Sequence, residues 1–109
     1  MSGTGGSMVV HNGHFIEGEV ITIPQGGTFN KVFPQPASFI NLHNMTADIL
    51  EVEITSNVAF GGSGIVFVAA GSALNFGDLP MGYITGITVT DTNAGGNGGG
   101  SFILNAHYN

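Results

Sequence analysis

Residues 47–55 read ADILEVEIT, and their alternation decides the fold class. Successive side chains of an extended chain point to opposite faces. Leu50, Val52 and Ile54 therefore share one side, and Ile49, Glu51 and Glu53 share the other. This is a half-buried strand, wet on one face. Upstream, ASFINLHN at 37–44 alternates as well, with Ile40 and Leu42 opposite Asn41 and His43. The run from His43 to Thr46 is expected to be the turn joining these two strands.

The same pattern extends outward. IVFVA at 65–69 is apolar on both faces and reads as a central strand. AGSALNF at 70–76 puts Leu74 and Phe76 on one face, with Gly71 marking the corner before it, where a residue without Cβ takes positive φ. GDLPMG at 77–82 is a turn in which Pro80 pre-sets its own φ. YITGITVT at 83–90 places Tyr83, Thr85, Ile87 and Val89 on one side. SFILNAHY at 101–108 gathers Phe102, Leu104, Ala106 and Tyr108. Further strands are expected from Met8 to His11, Phe15 to Ile23 and Thr28 to Phe33. FPQPASF at 33–39 carries Pro34 and Pro36, which exclude a central strand and suggest an extended connector. No window shows a helical period.

The expected fold is all-β: an antiparallel two-sheet β-sandwich or jelly roll of about eight short strands. It occupies residues 8–109 as one domain, after a flexible arm, MSGTGGS, at 1–7. Leu50, Val52, Ile54, Val66, Val68, Leu74, Phe76, Ile87, Val89, Phe102 and Leu104 are the expected core, and Phe39 and Phe67 are read as core too.

Glycine is concentrated in DTNAGGNGGGSF at 91–102. A phosphate-binding loop needs a following helix whose amides meet the anion, but here a strand follows and no lysine is near. A calcium β-roll repeat would carry Asp where this stretch has Gly, and it would recur. The stretch reads instead as a long hairpin tip. Both it and the arm are candidates for ordering against a neighbouring subunit, since Gly permits close backbone approach. The candidate interface residues are Ser2, Gly3, Thr4, Gly5, Gly6 and Ser7 of the arm, and Asn93, Gly95, Gly96, Asn97 and Gly98 of the loop. Phe29, Phe33 and Phe60, beside Gly or Pro, join them as aromatics expected to be exposed.

Charge narrows the function. Only 7% of the 109 residues are charged, against about 25% in an average domain. Lys31 is the one basic side chain, and the net charge is -6. Phosphate neutralisation needs Lys and Arg, so nucleic acid and anionic membrane surfaces are excluded as partners. A surface so poor in charge fits burial in an assembly, because interface cores are depleted of charge. There is no Cys, which excludes disulfide and thiolate-metal chemistry. The N-terminus lacks the parts of a signal peptide, so synthesis in a cytoplasm is expected, and the glycosylation sequon at Asn44-Met45-Thr46 reads as chance.

Chemical motifs are weak. HNGH at 11–14, with His43 and His107, could supply zinc ligands, but histidines scattered over strands and turns of a polar surface are the simpler reading. Glu17 with Glu19, and Glu51 with Glu53, could be a glycosidase's carboxylates or calcium ligands; solvated strand faces are the simpler reading. There is no nucleophile elbow. The chain is expected to be non-enzymatic, with no cofactor.

The arm MSGTGGS, the extended VFPQPASF at 32–39, the strand-corner-strand IVFVAAGSALNF at 65–76 and the scarcity of charge resemble the small β-sandwich virion proteins of tailed phages, especially head decoration or cement proteins. The resemblance spans the whole chain in style and rests on no diagnostic motif. It implies a homo-oligomer, often a trimer, seated on a viral shell protein and reinforcing the capsid, with the virion as its location. A tail, connector or fibre-base component is the nearest alternative, and a small carbohydrate-binding or host-attachment module the next.

Overall fold

A computed structural model describes residues 7–11, 14–57, 64–77, 83–93 and 99–108. Among these there is no helix. Nine strands form: β1 (Ser7–His11), β2 (His14–Ile23), β3 (Thr28–Ala37), β4 (Phe39–Asn44), β5 (Leu50–Ser56), β6 (Ile65–Val68), β7 (Ala73–Gly77), β8 (Ile84–Asp91) and β9 (Gly100–Tyr108). They make a five-stranded sheet, β1-β2-β9-β4-β7, and a four-stranded sheet, β3-β8-β5-β6, with every pairing antiparallel.

The pairings nest. β2 pairs with β9, β3 with β8, β4 with β7, and β5 with β6. The chain is thus one long hairpin with β5 and β6 nearest its tip, wrapped across two sheets, which is the jelly-roll connection. β1, expected from Met8 to His11, extends one sheet beyond that plan, and the described strands number nine against the tally of about eight. Ser7, read as arm, is the first residue of β1 and pairs with Gly18. Residues 1–6, Phe60, the Pro80 turn, and Gly95, Gly96, Asn97 and Gly98 lie outside the described residues.

The core lies between the sheets. Leu50, Val52, Ile54, Val68, Ile87, Val89, Phe102 and Leu104 are buried as expected, joined by Ile21, Ile23, Ile40, Leu42, Ile84, Ala106 and Tyr108. Val66, Leu74 and Phe76 are only half-buried, because β6 and β7 are the outermost strands of their sheets.

Several expectations are corrected. The segment of Pro34 and Pro36 is part of β3, not a separate connector; β3 is an edge strand, and its ladder to β8 skips residues 33–36, where proline has no N–H to give. β6 is also an edge strand rather than a central one, which leaves Phe67 62% and Ile65 41% exposed. In β8, Ser56 pairs with Ile84 while the adjacent Thr55 pairs with Gly86. The extra residue, Thr85, is a bulge that turns Ile84 into the core in place of Thr85. Gly86 is required beside it, since a Cβ there would lie 2.8 Å from the Lys31 carbonyl.

The joints differ too. β4 and β5 lie in different sheets, and so do β8 and β9, so neither residues 45–49 nor the glycine stretch closes a hairpin. Both cross from sheet to sheet. Gly71 does form the expected corner: its φ is +79° and the Ser72 N–H donates to the Ala69 carbonyl at 3.0 Å.

Candidate functional site

The outer face of the five-stranded sheet carries the most informative surface. Alternation and register fix which side chains it presents. Phe102, Leu104, Ala106 and Tyr108 of β9 point inward, so Ser101, Ile103, Asn105 and His107 point outward. Ile103 is level with Val20 and His43, Asn105 with Gly18 and Asn41, and His107 with Ile16 and Phe39. β7 continues these rows with Ala73 beside His43 and Asn75 beside Asn41.

The middle row is an asparagine ladder. Asn41 Nδ2 donates to Asn75 Oδ1 at 2.7 Å, and Asn105 Nδ2 donates to Asn41 Oδ1 at 3.3 Å. Amides held by each other across three strands keep donors and acceptors in fixed places. On either side of the ladder lie apolar groups: Ile16 and Phe39 with His107, and Ile103 with Val20, which is 48% exposed. The His107 ring meets Phe39 edge-on, with centroids 5.2 Å apart. Burial pushes the His107 imidazole below its ordinary value of 6.5. Across the rows from β2 to β7 no described side chain is a carboxylate, a lysine or an arginine. Phe39, expected in the core, belongs to this outer face because it alternates with the buried Ile40.

The opposite face of the sandwich differs. The four-stranded sheet shows Glu51 and the exposed Glu53 to solvent, beside Thr88 and Thr90 of β8. The Thr88 hydroxyl donates to Asn30 Oδ1 at 2.6 Å. A shallow groove of about 160 Å³ lies on this face between Val32, Thr55, Thr85 and Thr88. It lies below the roughly 300 Å³ of a small-molecule site and holds no carboxylate or imidazole.

Glu17 and Glu19 are not the solvated pair expected. They stand opposite Ala106 and Leu104 and so face inward. Lys31 points in from β3 on the other sheet. Its Nζ is 3.2 Å from Glu19 Oε1 and 3.7 Å from Glu17 Oε1. The Tyr108 hydroxyl donates to Glu17 Oε1 at 3.1 Å. Burial first, then the Glu17 charge and its hydrogen bond, then Glu19, raise the Tyr108 phenol well above its ordinary 10.0. Glycosidase carboxylates must flank an open cleft; these converge on an internal ammonium.

The candidate interface residues fall out unevenly. Phe33 is buried, 5% exposed, and meets Tyr108 edge-on at 6.1 Å, which corrects its expected exposure. Phe29 is half-buried against Phe102 at 5.6 Å. Both alternate inward with Lys31, a pattern that the neighbouring Gly and Pro obscure. Asn93 is exposed at φ +60°; its N–H donates to Asp91 Oδ1 at 2.7 Å, and its side-chain oxygen accepts from Gln25. Asn44 of the sequon is wholly buried, so it offers no glycosylation site in the folded chain. Among the described residues no group of three or more His, Cys, Asp or Glu converges.

Compared with known proteins, the chain matches no family model and no curated sequence.

Proposed function

We propose that this chain is a non-enzymatic structural subunit of a virion, of the capsid-decoration or cement type found in tailed phages, which seats on a shell protein as a homo-oligomer through the outer face of its five-stranded sheet. The observation that carries this reading is the absence of charge across the described rows from β2 to β7, in a chain of net charge -6. Solubility favours charge on an idle surface, whereas interface cores exclude it. Hydrogen-bonded asparagines flanked by Val20, Ile103 and Phe39 offer polar and apolar partners in fixed register.

Size supports multivalency. Four strands about 4.8 Å apart, with a longest member of ten residues, give a face of about 15 × 31 Å. That is roughly half the ~800 Å² per partner of a stable interface. A single copy binds weakly by this face, and several linked copies bind tightly.

The test places a charge at the centre of the ladder. Asn41→Asp should leave thermal unfolding nearly unchanged. It should weaken both self-association in analytical ultracentrifugation and co-sedimentation with phage shells by about tenfold or more, since a desolvated unpaired charge costs over 1.4 kcal/mol. Glu53→Gln, on the opposite face, should do neither. A parent chain that stays monomeric and sediments with no shell removes the proposal, as does an Asn41→Asp chain that assembles like the parent.

A further inference from the structure

One end of the sandwich interior is polar. The alternation that begins in β4 runs on through the sheet crossing, so Asn44, Thr46, Asp48 and Leu50 are all buried while Met45, Ala47 and Ile49 are exposed. Asn44 and Thr46 are internally satisfied. Asn44 Nδ2 donates to the Asp48 and Val68 carbonyls, and its Oδ1 accepts from the Thr46 N–H and hydroxyl. The Asp48 N–H donates to Thr46 Oγ1.

Asp91 enters the same end from β8. It is the registered partner of Leu50, and the Thr92 N–H donates to the Ile49 carbonyl just beyond. Asp48 precedes Leu50 by two residues and shares its inward side, so it is buried at the same end as Asp91. Asp91 is 1% exposed and Asp48 0%. Asp91 Oδ1 accepts from the Asn93 N–H, but Asp91 Oδ2 is buried with no hydrogen-bond partner among the described residues.

A carboxylate taken out of water needs a cation, donors or a proton. The chain's one basic side chain is committed elsewhere. Lys31 bonds Glu19 and Glu17, at the level of Ile87 in β8, four residues and so roughly 13 Å from Asp91. We infer that this end of the sandwich binds a divalent cation, with Asp91 Oδ2 and the Asp48 carboxylate as its anchoring ligands. The donors are hard oxygens with no imidazole or thiol beside them, which selects calcium over zinc. Two carboxylates make a modest site, with the remaining positions filled by carbonyl oxygens and water, and an affinity on the order of 0.1–1 mM. Asp91 is followed in the chain by the exposed Thr92 and Asn93, which puts it next to the surface at this end. Calcium would join β8 to the β4–β5 crossing and stiffen the end from which the glycine stretch departs. This inference does not depend on the docking face.

The test uses the full chain, stripped with a chelator and dialysed. Calorimetric titration with calcium chloride should give one ion per chain. Calcium at about 10 mM should raise Tm by about 5 °C or more, with magnesium less effective. Asp91→Asn should abolish both the heat and the Tm shift, and Glu51→Gln with Glu53→Gln, on the outer face, should leave both. If Asp91→Asn does not fold, Asp48→Asn is held to the same standard, and the stoichiometry of the parent stands on its own. A stripped parent chain that takes up no calcium and keeps its Tm overturns the inference. A calcium response that survives in Asp91→Asn overturns it equally.

Discussion

Lys31 reaches across the sandwich from β3 to Glu19 of β2, with Nζ 3.2 Å from Oε1. The chain's sole cation thus bridges its two sheets from the inside. Breaking such a pair leaves Glu19, whose side chain is 11% exposed, facing apolar neighbours. Lys31→Met should destabilise the fold by about 2–4 kcal/mol. The lower end applies if water reaches Glu17, which is 27% exposed. Adding Glu17→Gln and Glu19→Gln to Lys31→Met should recover most of the loss, because the triple variant leaves no charge at this site. Urea denaturation of the two variants checks both statements.

Asn44 is a second internal tie. Its amide fastens the β4–β5 crossing to the end of β6, and its backbone joins the β6–β7 corner through Ser72 and Gly71. Asn44→Ala takes the amide donor from the buried Val68 carbonyl and the acceptor from the Thr46 N–H, and leaves the Asp48 carbonyl with the Thr46 hydroxyl alone, at a cost of about 2–4 kcal/mol. Asn44→Asp should be worse, since it sets a carboxylate oxygen against the Asp48 and Val68 carbonyls. Thermal unfolding of both variants checks the order.

Local patterning made much of this legible. ADILEVEIT and SFILNAHY announced their inward faces, and Gly71 its corner. What alternation cannot convey is which sheet a strand joins. The run from Asn44 to Leu50 keeps its period straight through a sheet crossing, so it reads like a hairpin turn. An edge strand such as β6 carries the same apolar letters as a central one, because Phe67 and Ile65 face outward where a neighbour could cover them. The bulge at Thr85 inverts one face without any local signal. Lys31 was legible as the lone cation, but its glutamates were hidden by long-range pairing. The asparagine ladder was visible only as single letters, in INL, LNF and LNA, until register aligned them.

The depth of each core position sets its cost. Leu104 lies on β9 between β2 and β4 and is 2% exposed, so Leu104→Ala should cost about 2–5 kcal/mol. Val66, half-buried on edge strand β6, has fewer neighbours to lose. Val66→Ala should cost about 1 kcal/mol. Equal losses in guanidinium denaturation would contradict the placement of β6 at the edge.

Two titrating groups on β9 bound the pH range of stability from opposite sides. His107 has its folded value below the ordinary 6.5, because half-burial disfavours the imidazolium. The unfolded chain then takes up a proton before the folded one does, so this stability is present above pH 6.5 and is lost as pH falls through the folded value. Tyr108 behaves oppositely. Its folded value lies well above 10.0, through burial and the Glu17 and Glu19 charges, so its contribution is intact below pH 10 and drains away as pH rises beyond that. His107→Gln should flatten the acid slope between about pH 5 and 6.5, where most carboxylates are already ionised. Tyr108→Phe should flatten the alkaline slope, while losing about 1 kcal/mol at neutral pH with the bond to Glu17. Urea midpoints measured across pH for parent and variants test both limbs. An absorbance titration of the folded parent should also show fewer than its two tyrosines ionised near pH 11, with the remainder appearing only on unfolding.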